Sequence, residues 1–297
     1  MASIRQIFLR RKAIDSISRM TRTLEMVSTA RYKSYSNKWA LTADYQDALA
    51  RAAYLLATPL KPIDHPLLKE NSAGRLALLA IGSRKGLCGS YNAHVYRLVE
   101  VHVERAKSLG KKLDIYVPRC KLESVLAFHG LTPVKVYTEV DEMPSNAQIG
   151  AIADEFINQY ISGNIDYLGI VYMRFYSASS QQAQTLTIMP LTELVDDLTT
   201  RSKVIWPWDL TFEDFHMSPS ADKMIEGLAR MLMHYSIQNC FMDAALSEHL
   251  ARMVAMRSAT ENAEDMVKTL TADYNRARQT QITSELLDIT SGMGALE

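Results

Sequence analysis

DKMIEGLARMLMHYSIQNCFMDAALSEHLARMVAMRSATENAEDMVKTLTADYNRARQTQITSELLDI, residues 222–289, decides the fold. The stretch contains no proline and a single glycine, Gly227. As one α-helix rising ~1.5 Å per residue it would reach roughly 100 Å, wider than a compact domain. Apolar residues return along it at spacings of three and four: Ile225, Leu228, Leu232, Tyr235, Met242, Leu246, Leu250, Met253, Met256, Ala263, Val267, Leu270, Tyr274 and Ala277. That is a narrow seam near the heptad period, suited to packing along one partner helix rather than sinking into a globular core. Asn239 and Thr260 interrupt the seam as polar positions, and the steps from Met242 to Leu246 to Leu250 make a stutter. Ser218 before Pro219, with Asp222 in the first turn, marks a start, and Gly292 and Gly294 mark a stop. A helix of this length cannot bury its own seam, so its partner must be sought elsewhere in the chain.

The partner is at the other end. Residues 1–58 contain neither proline nor glycine, and Ser3 with Gln6 fits a capping box. Ile4, Ile7, Ile14, Ile17, Met20, Leu24 and Val27 form a stripe that resumes at Leu41, Tyr45, Leu49, Ala52 and Leu56. The first helix is net basic to Lys38 and the last is net acidic after Pro219. Because the chain between them has to return, an antiparallel coiled coil is the economical arrangement. Pro59, Pro62 and Pro66 close the first helix, and beyond them the texture changes to strand, helix, strand, helix. The periodicity predicts strands at 76–81, 113–117, 134–137 and 167–173, with helices at 91–108, 121–129 and 149–161, which is the pattern of a parallel sheet with crossover helices. Further edge strands are expected at 185–191 and 204–206. The resulting division is a coiled-coil helix over 1–58, an α/β domain over 73–206 and a coiled-coil helix over 219–297.

Composition excludes little. Lys plus Arg and Asp plus Glu both number 33, so no global charge favours nucleic acid or an anionic membrane. Cys88, Cys120 and Cys240 are odd in number and far apart, which argues for reduced thiols rather than a disulfide scaffold or a zinc site. No apolar run is long enough for a membrane span, and the start lacks the apolar core of a secretory signal. The helical pattern running on from the first residues also argues against a transit peptide.

The stretch GSRKGLCGS, residues 82–90, follows a strand and opens a helix, where doubly wound folds bind phosphates. It has neither the spacing of a dinucleotide fingerprint nor that of a P-loop. Glycines serving a tight turn and close helix–strand packing explain it better. His249 has no second metal ligand at helical spacing and reads as a polar-face histidine. Glu261, Glu264 and Asp265 read as a solvated face, and the methionines at 20, 26, 231, 233, 242, 253, 256 and 266 as seam and flank packing. No nucleophile elbow or carboxylate pair points to catalysis, and no cofactor or metal is expected. Arg10 and Arg11, and the cluster around Arg276, Arg278 and Gln279, are suited to gripping carboxylates of a partner.

Residues 247–263, SEHLARMVAMRSATENA, followed by YNRARQ at 274–279 and ITSEL at 282–286, resemble the C-terminal signature of the gamma subunit of the rotary F-type ATP synthase. Gly86, Leu87, Cys88 and Gly89, with Asn92 beyond, are similar to that family's G-L-C-G-x-x-N turn. Met20-Thr21 and Met26-Val27 are similar to its first-helix pattern. The sequence departs from the family at Arg84, where an acidic residue is common, at Leu24, where methionine is usual, and over 174–189. The resemblance implies a long antiparallel coiled coil with an inserted Rossmann-like α/β domain. It implies a non-catalytic rotor shaft, coupling transmembrane ion flow to ATP synthesis or hydrolysis, peripheral on the cytoplasmic face of a bacterial inner membrane or on the matrix side in a mitochondrion. Its implied partners are the alpha and beta subunits of the catalytic ring, the epsilon subunit and the c-subunit ring. By the same resemblance Arg278 and Gln279 engage acidic loops of the beta subunit, Thr283 and Glu285 lie just above, and Arg10 and Arg11 face the ring lower down. The rival classes are a dinucleotide-dependent enzyme, which lacks its fingerprint, and a coiled-coil scaffold, which has no need of an α/β domain.

Overall fold

The computed structural model describes residues 4–40, 45, 48–49, 65–201 and 221–294. In chain order these form α1 (Ile4–Ala40), a 3-10 turn (Pro66–Leu68), β1 (Arg75–Ala80), α2 (Tyr91–Ser108), β2 (Lys112–Pro118), α3 (Leu122–Phe128), β3 (Lys135–Tyr137), α4 (Asn146–Ile161), β4 (Tyr167–Ser177), β5 (Ser180–Met189), α5 (Leu191–Arg201) and α6 (Ala221–Gly294). Helix α6 is unbroken over 74 residues and α1 over 37. Of the expected continuation of the first helix, Tyr45, Ala48 and Leu49 are helical, while the rest, like the strand expected at 204–206, lies outside the described residues. The chain divides into two compact units, residues 31–251 and residues 1–30 with 252–297.

The unit 31–251 is built on a five-stranded sheet of order β3-β2-β1-β4-β5. The first four strands are parallel, and β5 returns antiparallel to β4. Side chains alternate between faces along each strand, so two cores form. Ala77, Leu79, Ile170 and Tyr172 point to the face covered by α4, α5 and the early turns of α6. Leu78, Ala80, Val171 and Met173 point to the face covered by α2 and α3. Burial on both faces explains why β1 and β4 read as continuous apolar runs. Helix α4 starts on a capping box in which Ser145 and Gln148 satisfy each other's backbone N–H.

Strand β5 begins at Ser180, earlier than expected, and the chain is already helical from Leu191. Its first half, rich in Ser and Gln, carries no apolar alternation of its own and is held by pairing to β4. The expectation of a polar-face coiled-coil environment throughout the last helix also fails. Every residue from Phe241 to Leu250 is buried, including Asp243, Glu248 and His249. Here α6 is enclosed by protein on all sides.

Candidate functional site

In the unit formed by 1–30 and 252–297, α1 and α6 pack along one another. Phe8 meets Tyr274 at 6.1 Å between ring centroids, Thr21 Oγ1 lies 2.7 Å from Thr260 Oγ1, and Arg22 pairs with Glu264. Rising numbers on one helix match falling numbers on the other, so the pair is antiparallel. The less exposed positions on α1 include Ile4, Ile7, Arg11, Ile14, Ser18, Thr21, Glu25 and Ser28, with Asp15 and Leu24 flanking them, and on α6 they include Met253, Met256, Thr260, Ala263, Val267, Leu270, Tyr274 and Ala277. Both series step by three and four in strict alternation, the knobs-into-holes period.

The seam of α1 matches the expected stripe at Ile4, Ile7 and Ile14 and leaves it further along. Ile17, Met20 and Val27 are 48%, 64% and 50% exposed, whereas Ser18 and Ser28 are buried. Small side chains let two helices approach closely, and around Ser18, Thr21 and Ser28 the seam takes such residues in place of Ile17, Met20 and Val27. The displaced apolar residues, with Leu9, lie at spacings of eight, three and seven along one outward stripe. The methionines divide in the same way: Met233, Met242 and Met256 are buried, while Met20, Met26, Met231 and Met266 are exposed.

Arg278, Gln279, Thr283 and Glu285 sit on the last described turns of α6, where every residue from 278 to 287 is exposed. Thr283 Oγ1 donates back to the Gln279 carbonyl at 2.9 Å, and Gln281 Nε2 donates to Glu285 at 2.7 Å. Ile282, Leu286 and Leu287 are 44%, 58% and 60% exposed on the same turns. Arg10 is exposed, but Arg11 is half-buried, its guanidinium 5.5 Å from the Phe8 centroid and 5.4 Å from that of Tyr274. Two aromatic faces thus hold Arg11 against the helix pair.

In the unit 31–251 the Gly86–Gly89 turn joins β1 to α2. Leu87, with φ 63°, and Gly89, with φ 59°, both take the left-handed conformation that reverses the chain. Gly82 is required by packing, since a Cβ there would stand 2.4 Å from Leu122 Cβ. Ser83, fully buried, has its N–H on Asn92 Oδ1 at 2.9 Å and accepts from Asn92 Nδ2 at 2.7 Å. Cys88, also buried, donates its thiol to Ser83 Oγ at 3.4 Å. The reading of the glycines as serving a tight turn and close packing fits this geometry. What the sequence did not disclose is Glu248, whose carboxylate accepts from the N–H of Arg84 at 2.8 Å and of Lys85 at 3.3 Å. A run of consecutive amides aimed at one carboxylate is a signal visible only once the turn and α6 are brought together.

Next to it, His249 Nε2 lies 2.5 Å from Glu142 Oε1, and the Tyr35 ring packs against the imidazole in a tilted arrangement, 5.4 Å between centroids. Arg31 approaches Glu142 at 3.7 Å. Burial first, and the Glu142 charge second, push the Tyr35 phenol up. His249 is thus a buried, paired side chain and not a solvated one. Arg84, the departure from the family pattern, finds Asp141 at 2.8 Å, so the loops following β1 and β3 are tied to each other as well as to α6. Cys120 is half-buried beside them, and burial pushes its thiol up to about 11. All three cysteines are free thiols. Among the described residues no group of three or more His, Cys, Asp or Glu side chains is placed to hold a metal ion, and no helix is long and apolar enough to cross a membrane.

Comparison with known proteins follows this geometry. The ATP synthase family profile matches residues 3–296. The ATP synthase gamma chain of Rhodopirellula baltica is 36% identical over all of both chains, and that of Leptospira biflexa is 31% identical, again over all of both. Among solved structures, a chain of the Euglena gracilis mitochondrial ATP synthase OSCP/F1/c-ring assembly superposes with a TM-score of 0.68 at 19% identity, covering 99% of this chain and 94% of its own. A chain of the Tetrahymena thermophila central stalk and c-ring gives 0.51 at 20% identity, covering 81% of this chain and 99% of its own. At such identities the structures speak for the fold alone.

Proposed function

The chain belongs to the ATP synthase gamma-chain family, and from that premise we propose that it is the central rotor shaft of an F-type ATP synthase, coupling transmembrane ion flow to ATP synthesis or hydrolysis. The observation that carries this reading is the end of α6. From 278 to 287 every residue is exposed, and these turns carry Ile282, Leu286 and Leu287 alongside Arg278 and Gln279. Apolar surface exposed on a helical tip calls for a surrounding sleeve. The outward stripe of Leu9, Ile17, Met20 and Val27 calls for the same lower down.

The sleeve in this reading is a ring of alternating alpha and beta subunits. Two helices whose outer faces differ in chemistry present each of several identical neighbours with a different contact free energy. Each neighbour is thereby biased toward a different open or closed state, and rotation permutes the biases. The shaft itself supplies no catalytic group. Arg278 and Gln279 grip carboxylates of the beta subunit, Thr283 and Glu285 lie beside them on the same exposed tip, and Arg10 faces the ring. Arg11 stiffens the helix pair from within, through Phe8 and Tyr274. The α/β domain, taken as 73–206 between coiled-coil helices at 1–58 and 219–297, binds the epsilon subunit and the c-subunit ring. The assembly is peripheral on the cytoplasmic face of a bacterial inner membrane, or on the matrix side if mitochondrial.

The test is a double substitution, Arg278→Ala with Gln279→Ala, in a complex reconstituted with this chain. Removing charge-assisted hydrogen bonds worth about 1.5–3 kcal/mol at best should lower ATP-driven rotation and ATP synthesis. Helix content should not change, because both side chains are exposed and Ala is a good helix former. Arg257→Ala is the control, since Arg257 is exposed and engaged with Glu261 of its own helix at 3.3 Å. A double variant that couples like the wild type while Arg257→Ala does not would refute the residue assignments.

A further inference from the structure

The geometry points to Glu248 as an internal anion that locks the Gly82–Gly89 turn onto α6, making it the positioning residue of the joint through which torque passes between the sheet and the shaft helix. This rests on the rotor reading above. In doubly wound sheets the crevice at the carboxyl ends of the strands, beside the switch in strand order, receives a ligand, and the turn after the first strand offers its amides to phosphate. Here β1 lies between β2 and β4, at that switch. The crevice is lined by Ile81 and Gly82 after β1, Pro118 and Cys120 at the end of β2, and Val140 beyond β3. Its remaining wall is α6 itself, with Phe241, Ala244, Ala245 and Glu248. The carboxylate of Glu248, 3% exposed, accepts from the N–H groups of Arg84 and Lys85 as a phosphate oxygen would. The place of a diffusible ligand is thus taken by a side chain of the same chain.

Neighbouring contacts add to the lock. Tyr91 Oη, at the start of α2, donates to the Ala244 carbonyl at 3.1 Å. His249 with Glu142 ties the loop beyond β3 to the same turn of α6, and Arg84 with Asp141 ties that loop to the Gly82–Gly89 turn. A helix enclosed on all sides over 241–250 cannot roll in its seat without breaking these contacts. Directional hydrogen bonds to a charged acceptor resist rotation about the helix axis in a way that apolar packing alone does not.

The test combines hydrogen–deuterium exchange with coupling, using the full chain in a reconstituted synthase complex. Glu248→Ala should speed exchange at the Arg84 and Lys85 amides by about tenfold or more, the loss expected of charge-assisted bonds. ATP-driven ion pumping should fall several-fold per ATP hydrolysed. Sodium acetate should slow the exchange again and recover part of the coupling, whereas neutral acetamide should not, a rescue that a merely space-filling role would not show. Glu248→Gln keeps the shape and so tests the charge if the alanine variant folds poorly; its exchange should lie between the other two. Unchanged exchange at Arg84 and Lys85 in both variants, or faster exchange with full coupling, overturns the proposal. If instead the wild-type chain never restores pumping to a complex lacking its shaft, the rotor reading fails. In that case the exchange and acetate measurements still decide whether Glu248 is the anion holding the turn.

Discussion

Thr21 and Thr260 meet in the helix seam with three short oxygen contacts and only two hydroxyl protons to serve them. Thr260 Oγ1 is 2.8 Å from the Met256 carbonyl, Thr21 Oγ1 is 3.0 Å from the Ser18 carbonyl, and the two hydroxyls are 2.7 Å apart. At any moment one contact lacks a proton. Thr260→Val removes one hydroxyl with little change of shape and leaves the Thr21 proton on the Ser18 carbonyl. The loss is one net hydrogen bond, about 1 kcal/mol. The added apolar group returns up to ~0.8 kcal/mol. Each single valine variant should therefore destabilise the seam by only about 0.5 kcal/mol, and the double variant by about the sum, because two protons make two hydrogen bonds and each substitution removes one. Thr260→Ala, which leaves a void at a position 4% exposed, should cost more, about 1–2 kcal/mol. Native-state hydrogen exchange at residues 258–263 in the assembled complex measures these differences. A polar pair at a seam position also fixes register. Cross-linking between Arg22→Cys and Glu264→Cys should accordingly lose yield in the double valine background. Singles that each cost more than ~2 kcal/mol would refute the proton-sharing account.

Three further outcomes are expected. Leu250→Asp places a charge where the side chain is 2% exposed and the helix is enclosed, so it should abolish assembly, whereas Leu270→Asp, at a half-buried seam position, should reduce the yield of assembled complex only in part; equal effects would contradict the burial pattern. Burial first, and Arg105 second, lower the pKa of His102, whose Nε2 lies 2.7 Å from Thr185 Oγ1. The unfolded chain then binds the extra proton, so stability is complete above the unfolded histidine value of ~6.5 and is lost as pH falls from there through the folded value. His102→Gln should flatten that part of the pH–stability curve measured by urea unfolding, and an unaltered slope would count against it. Cys120, its thiol pushed up to about 11, should react with iodoacetamide at neutral pH far more slowly than in the urea-unfolded chain. The thiolate fraction alone accounts for roughly 300-fold against a free thiol near 8.5.

The long helices and the succession of strands and helices were legible because proline and glycine cluster mainly between the elements and are sparse within them. The face of α1 was legible only in part: Ile4, Ile7 and Ile14 lie on the seam, but further along hydropathy points to Ile17, Met20 and Val27 while the partner helix packs on Ser18, Thr21 and Ser28. Where the seam takes small side chains, Ile17, Met20 and Val27 are left outside. His249 was misjudged for a related reason. Periodicity describes a helix with one buried side, and α6 between 241 and 250 has no solvent side at all. Helix α5 was hidden behind Pro190, whose neighbours continue the apolar texture of β5. The turn at 82–90 was read as structural from spacing alone, but its carboxylate partner lies far along the chain, where no local pattern reaches.

The seam between the first and last helices joins the two extremes of the sequence. During synthesis at about 5–20 residues per second, the residues that cover α1 leave the ribosome roughly ten to fifty seconds after it does. The unit 31–251 has all its strands in hand before residue 252 is made. The sheet and its two cores are therefore free to form first, and the helix pair closes only when translation is nearly over. Until then the stripe of Leu9, Ile17, Met20 and Val27 and the seam of α1 are both uncovered, so a newborn chain exposes more apolar surface near its start than the finished one ever does. A chaperone acting on this protein has its longest opportunity at that N-terminal helix.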